Sequence, residues 1–125
     1  MARTKADLST DTLRKLGVLD ALHSPSSEDA AIVEARYDDM HESLKDQGLV
    51  YWPNTDRSTA EIPSVVFGAV VDIMAENVAL HFGVEIPTVT DAHGRPVSIG
   101  TRGTRNLRVH MAKGPSGAPV YTEYY

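Results

Sequence analysis

Apolar residues recur at helical spacing in three stretches of this chain, and the longest stretch lies in its middle. Between Pro63 and Gly83, apolar side chains recur three and four residues apart, which is typical of one face of an α-helix. Proline at the first helical position and glycine after the last one are start and stop signals. The pattern predicts a central core helix over 63–82. The side chains expected to face the core are Phe67, Val70, Val71, Met74, Val78 and Phe82.

Two shorter patterns predict helices before the central one. Thr4 and Asp7 have the spacing of a capping box, and a helix over about 5–16 follows, with a glycine stop at Gly17. A Ser/Pro loop then leads to a second helix over about 27–47. The core positions expected on these two helices are Leu13, Leu16, Val33, Tyr37, Met40 and Leu44.

The helical pattern stops after Gly83. Residues 96–100 and 107–111 alternate between apolar and polar side chains, which predicts a β-hairpin or two extended segments. A Gly/Pro-rich stretch follows, and three of the five tyrosines fall in the last five residues, a composition that favours docking on a partner. We therefore expect a mainly α fold: a small three- to four-helix bundle, an extended or β-hairpin segment and a docking arm. These parts are the helical core 1–83, the basic segment 84–113 and the arm 114–125.

Charge is divided unevenly along the chain. Residues 1–83 carry 14 acidic against 7 basic side chains, whereas residues 84–125 carry 3 against 5. A basic surface can bind nucleic-acid phosphates or an acidic protein surface, and the acidic half of a neighbouring copy is one such surface. A solvated hairpin is the simpler alternative. The bases that we expect to face DNA or another subunit are Arg95, Arg102, Arg105, Arg108 and Lys113, with no acid among them.

Patterns that carry catalytic chemistry are sparse. The chain has no cysteine, which excludes thiol nucleophiles and thiolate metal sites, and it lacks a nucleophile elbow and a phosphate-binding lysine loop. Glu34, Asp38 and His41 share one helical face, a spacing that metal-binding carboxylates use, but a solvated acidic face explains them more simply. We expect no enzymatic activity, no bound metal and no cofactor.

The central helix is about 30 Å long, which is also the thickness of a bilayer core. Asp72 and Glu76 lie inside it, and charges in mid-span are costly in hydrocarbon. We therefore expect no membrane partner. No secretory signal is expected either, because no apolar run follows the first five residues.

The order of motifs from residue 4 to residue 83 is more specific than any one of them. It comprises Leu13-Arg14-Lys15-Leu16-Gly17-Val18 at the end of the first helix, an acidic second helix, Gly48-Leu49, Trp52-Pro53, Ile62-Pro63 and a helix closing on Phe82-Gly83. This order resembles the head–tail connector proteins of tailed bacteriophages. Within that group it is most similar to the head-completion adaptor, or tail accessory factor, of short-tailed phages.

The resemblance implies a structural virion protein at the head–tail junction, assembled in the host cytoplasm. Its partners would be further copies of itself in a ring, expected to be a dodecamer, the portal protein above, tail or nozzle proteins below, and packaged DNA in the lumen. By position, the portal-binding residues would be Pro119, Val120, Tyr121, Tyr124 and Tyr125. The polar side of the central helix (Asp72, Glu76, Asn77 and His81) would face a neighbouring subunit or the lumen.

One departure separates the chain from the family pattern. Relatives continue with another amphipathic helix after the Phe-Gly stop, whereas the alternation here predicts an extended segment. The alternative function is a small nucleic-acid-binding protein that uses the basic residues between 93 and 113.

Overall fold

The computed structural model describes residues 2–113, and Lys113 only as backbone. The described part contains four α-helices and two small antiparallel sheets. The elements are β1 (Ala2–Thr4), α1 (Lys5–Lys15), α2 (Ser27–Asp46), β2 (Ala60–Pro63), α3 (Ser64–Ala79), a 3₁₀ turn (Leu80–Phe82), β3 (Thr88–Thr90), β4 (Pro96–Ser98) and α4 (Ile99–Lys113). β1 pairs with β2, and β3 pairs with β4. The mainly α fold predicted from the sequence is confirmed.

The ends of the first three helices follow the local signals in the sequence. Thr4 forms the predicted capping box: its side chain accepts the Asp7 N–H at 3.0 Å, and the Asp7 carboxylate accepts the Thr4 N–H at 3.2 Å. Ser26 caps α2 by accepting the Asp29 N–H at 3.1 Å. After the 3₁₀ turn the chain stops at Gly83, whose φ of 71° is the left-handed conformation that glycine adopts at least cost.

The core is built around α3, as the apolar pattern predicts. Val70, Met74 and Val78 are fully buried against α1 and α2. Eleven of the twelve predicted core residues are buried, and Phe82 is only half-buried at the edge of the cluster. Half-burial at Phe82 follows from its place in the final 3₁₀ turn, where the chain leaves the bundle.

The prediction of strands in the second half of the basic segment is wrong. Residues Ile99–Lys113 form α4, and the β-hairpin lies earlier, with Thr88–Thr90 paired to Pro96–Ser98. Ser98 starts the helix, because its hydroxyl accepts the Thr101 N–H at 3.3 Å. The apolar residues between 107 and 111 fit a helix as well as a strand. What decides the matter is their continuation at intervals of four residues towards α3, through Ile99, Gly103, Leu107 and Met111.

Two glycines let α4 approach α3 closely. A Cβ atom at Gly103 would lie 2.5 Å from the backbone oxygen of Ala69, and one at Gly100 would lie 2.6 Å from Glu76 Oε1. A carbonyl oxygen inside a helix cannot turn away as a side chain can. Only glycine, which has no Cβ atom, therefore fits at position 103.

Replacing Gly103 by alanine should lower the free energy of unfolding by about 1–3 kcal/mol, because overpacking against the α3 backbone outweighs the higher helix propensity of alanine. The matched control is Gly68→Ala in α3, where a Cβ meets nothing within 4 Å. That change should stabilise the protein by about 0.5–1 kcal/mol. Urea unfolding measures both, and a Gly103→Ala protein as stable as its parent would contradict the close approach.

Candidate functional site

The predicted basic residues lie on two adjoining elements. Arg95 immediately precedes β4, and Arg102, Arg105 and Arg108 lie on α4. Lys113 is the last residue of α4, and its side chain lies outside the described part of the chain. The structure therefore brings four of the five predicted bases to one side of the molecule. Their surroundings nevertheless differ.

Asp91, at the hairpin turn, lies within 4 Å of two of these arginines. Its Oδ1 accepts the backbone N–H groups of His93 and Arg95, both at 2.9 Å, which fixes the carboxylate in the turn. Its Oδ2 lies 3.9 Å from Arg95 Nε and 3.8 Å from an Arg105 guanidinium nitrogen. Since both arginines are well exposed, these long contacts contribute little stability and leave the cations accessible.

Asp72 is the buried anion of the fold, and α4 covers it. Its side chain is only 5% exposed. Arg102 donates from Nε to Oδ2 at 3.2 Å, and Arg102 Nη2 lies 3.1 Å from the same oxygen as an ion pair. Lys15, at the end of α1, places Nζ 2.7 Å from Oδ1, an ion pair outside hydrogen-bond geometry. One carboxylate thus ties α1, α3 and α4 together. The sequence analysis placed Arg102 among the bases that face DNA or another subunit, but in the structure Arg102 pairs with Asp72 of the core helix.

The expectation that the polar side of the central helix faces another subunit or the lumen is wrong for its two acids. Asp72 is held as just described, and Glu76 accepts the backbone N–H of Gly100 at 2.9 Å, at the start of α4. A carboxylate at a helix N-terminus is favoured by the unpaired N–H groups there. Asn77 and His81 remain exposed. The fourth helix lies in a segment where the residue pattern predicted strands, and it occupies the place assigned to a neighbour.

Arg108 and its surroundings form the accessible part of the basic surface. Within residues 2–112, Arg108 has no carboxylate within 4 Å, and Val109 beside it is 55% exposed. Arg105, one turn earlier, is 57% exposed. This outward side of α4 carries positive charge around an apolar side chain, a composition that suits contact with an acidic surface.

The metal candidates on α2 do not meet at one site. Glu34 accepts three hydrogen bonds from the Arg57 guanidinium, at 2.9, 3.0 and 3.2 Å. Burial opposes ionisation of Asp38, but hydrogen bonds from Asn54 and Lys5 lower the pKa of its carboxyl below the ordinary value. Within the described chain, no three His, Asp or Glu side chains are grouped so as to hold a metal ion.

His41 belongs to a buried aromatic group instead. Its Nε2 lies 2.8 Å from the backbone oxygen of Trp52, and the Trp52 indole N–H donates to the Tyr37 hydroxyl at 2.8 Å. Burial raises the pKa of Tyr37 to about 12, although the indole hydrogen bond acts in the opposite direction. The Trp52 indole and its hydrogen-bond partner Tyr37 are therefore both buried. Tyr51 adds a link to α4, since its ring stacks on His110.

The predicted portal-binding residues lie outside the described residues. They are Pro119, Val120, Tyr121, Tyr124 and Tyr125, in the arm 114–125.

The stretch Ser64–Phe82 is long and apolar enough to cross a membrane by length and composition, but 56% of it is buried in the fold, as in core helices.

Replacing Asp72 by asparagine should lower the free energy of unfolding by about 1–3 kcal/mol, because Lys15 and Arg102 lose the charge that holds them against α3. An exposed control, Glu85→Gln, should change it by less than about 0.5 kcal/mol. Thermal unfolding followed by circular dichroism measures both. Equal stability of the two variants would contradict a structural role for Asp72.

Three residues that shape this surface were not singled out from the sequence, and each left a local signal. Ser98 and Thr101 have capping spacing, Asp91 precedes a turn with His93 and Gly94, and Gly103 interrupts an apolar row.

Comparison of the chain with protein-family models, with curated proteins and with solved structures finds no match.

Proposed function

We propose that this protein is a head-to-tail adaptor of a tailed bacteriophage, a non-enzymatic structural subunit. In this role it forms a ring below the portal, closes the DNA-filled head and provides the platform on which tail proteins attach. The basis is the order of motifs between residues 4 and 83, together with the basic segment and the tyrosine-rich arm that follow.

The observation that carries the proposal is α4. The resembled family continues with an amphipathic helix after the Phe-Gly stop, and the sequence pattern alone argued against one here. The structure has a helix over Ile99–Lys113 that is apolar towards α3 and basic outward. The helix follows the Phe-Gly stop only after the β3–β4 hairpin, but its presence brings the chain closer to the family pattern and so supports the proposal.

The outer surface of the small bundle also suits a protein that works in an assembly. Val65 is 74% exposed and Val109 55% exposed, and both line a groove between α3 and α4. Leu80 is 73% exposed at the other end of α3. Burying such side chains against a partner lowers the free energy by about 25 cal/mol for each Å² of apolar surface removed from water.

The nucleic-acid alternative has weaker support. Arg102 is held by Asp72, and Arg95 and Arg105 lie near Asp91, so only part of the basic segment is available for phosphates. Residues 93–112 contain no aromatic side chain for stacking on bases other than histidines.

Removing residues 114–125 should abolish attachment to the portal while leaving the helices folded. The arm carries the proposed portal-binding residues, whereas the core cluster of the described chain is built from residues 8–111. Co-sedimentation with purified portal measures attachment, and circular dichroism checks the helices. The matched control replaces Tyr121, Tyr124 and Tyr125 by phenylalanine, which keeps their apolar rings and should retain most of the binding.

Mass measurements of the protein alone and with portal provide the direct check on the ring. The expected result is a closed oligomer on the portal. Full attachment by the truncated chain would contradict the role of the arm, and failure of the full chain to bind portal would contradict the adaptor function.

A further inference from the structure

Two exposed helix faces of opposite charge lie on α4 and α2. Within the described chain, the only ion pair of the α4 face is the long contact of Arg105 with Asp91, at 3.8 Å. The α4 face consists of Thr101, Arg105, Arg108 and Ala112, which lie on one line along the helix and are all exposed. The α2 face consists of Ala35, Asp39, Glu42 and Asp46, which also lie on one line and are all exposed. The three acids of the α2 face have no basic nitrogen within 4 Å among the described side chains.

We propose that these two faces bind each other between copies of this chain, with α4 of one copy antiparallel to α2 of the next. This rests on the proposed ring function and names the surfaces that would build the ring. The occupant of the basic face is then a second copy of the protein.

The spacing of the two faces favours the antiparallel arrangement. Along α4 the intervals from Thr101 through Arg105 and Arg108 to Ala112 are four, three and four residues. Read backwards along α2, the intervals from Asp46 through Glu42 and Asp39 to Ala35 are also four, three and four. At a rise of about 1.5 Å per residue the two rows match in length, so each arginine meets one carboxylate.

The pairing places Arg105 opposite Glu42 and Arg108 opposite Asp39, with the small side chains of Ala112 and Ala35 at one end. Alanines allow the helix axes to approach, and the exposed Val109 beside the arginines adds apolar area. Charge pairs at the rim of such a contact set register and association rate, and they weaken with salt.

The geometry also determines the kind of assembly. Because the two faces are different surfaces, each copy offers one of each, and the contact is heterologous. Heterologous contacts propagate from copy to copy and give either a closed ring or an open filament. A ring subunit needs this kind of contact, whereas a symmetric dimer would use the same face on both copies.

Charge reversal tests the inference in solution. Arg105→Glu/Arg108→Glu should weaken self-association by about tenfold or more at low salt, since each attractive pair becomes a repulsive one. Asp39→Arg/Glu42→Arg should do the same, and mixing equal amounts of the two variants should restore assembly. The control Arg14→Glu/Ala21→Glu/Leu22→Glu makes the same change in net charge at exposed positions away from α4 and should associate like the parent. Sedimentation velocity at low and high salt measures each case.

A pair of cysteines tests the register. The chain contains no cysteine, so any disulfide comes from the introduced pair. Arg108→Cys/Asp39→Cys should form disulfide-linked oligomers on mild oxidation, whereas Arg108→Cys/Glu28→Cys should not, because Glu28 lies eleven residues from Asp39 along α2.

Three results would overturn the inference: a parent protein that remains monomeric at low salt both alone and on the portal, variants that assemble like the parent, or mixing that restores nothing. Loss of binding to non-specific duplex DNA by Arg105→Glu/Arg108→Glu, with self-association unchanged, would assign the α4 face to nucleic acid instead. The adaptor function fails separately, when the full chain does not bind portal although its charge-dependent assembly persists.

Discussion

The close contact between α3 and α4 is the interaction on which the rest of the described structure depends. Gly103 brings α4 against the backbone of α3 at Ala69, and this places Arg102 and the first turn of α4 over two carboxylates of the core helix. Without α4, Asp72 and Glu76 would lie in water on an amphipathic core helix. With it Asp72 is paired with Arg102, Glu76 accepts the Gly100 N–H, and α3 is enclosed on a further side.

That contact also sorts the basic residues into two groups. Arg102 turns inward to Asp72 and stabilises the bundle, whereas Arg105 and Arg108 point outward with Val109. In the sequence, each of these arginines contributes the same single positive charge. Their consequences are different, because Arg102 pairs with a buried carboxylate and holds two helices together, while the interactions of exposed cations are weakened by salt.

The proposed function and the proposed interface use the same architecture. In the proposed function, residues 114–125 would contact portal while the outer helices contact neighbouring copies. The acidic outer side of α2 and the basic outer side of α4 belong to different helices that both pack on α3 in one core. The chemistry of such a protein lies in its surfaces, and the buried Asp72 and Trp52 serve to hold those surfaces in place.

The sequence by itself determined the first three helices and nearly all of their core. Caps at Thr4 and Ser26, the stop at Gly83 and the apolar spacing of α3 are local features, and local hydrogen bonds and periodic burial follow from them directly. Candidate charges could be named in the same way, since their residue types and positions are visible in the chain.

Only the tertiary structure decided the state of residues 99–113 and the role of each charge. Leu107 to Met111 fit a strand or a helix equally, and burial against α3 selects the helix. Likewise, Asp72 and Arg102 are thirty residues apart, so their pairing depends on how two helices cross and not on any local pattern. Such long-range packing determines which cations pair with carboxylates of the core helix and which remain exposed on the surface.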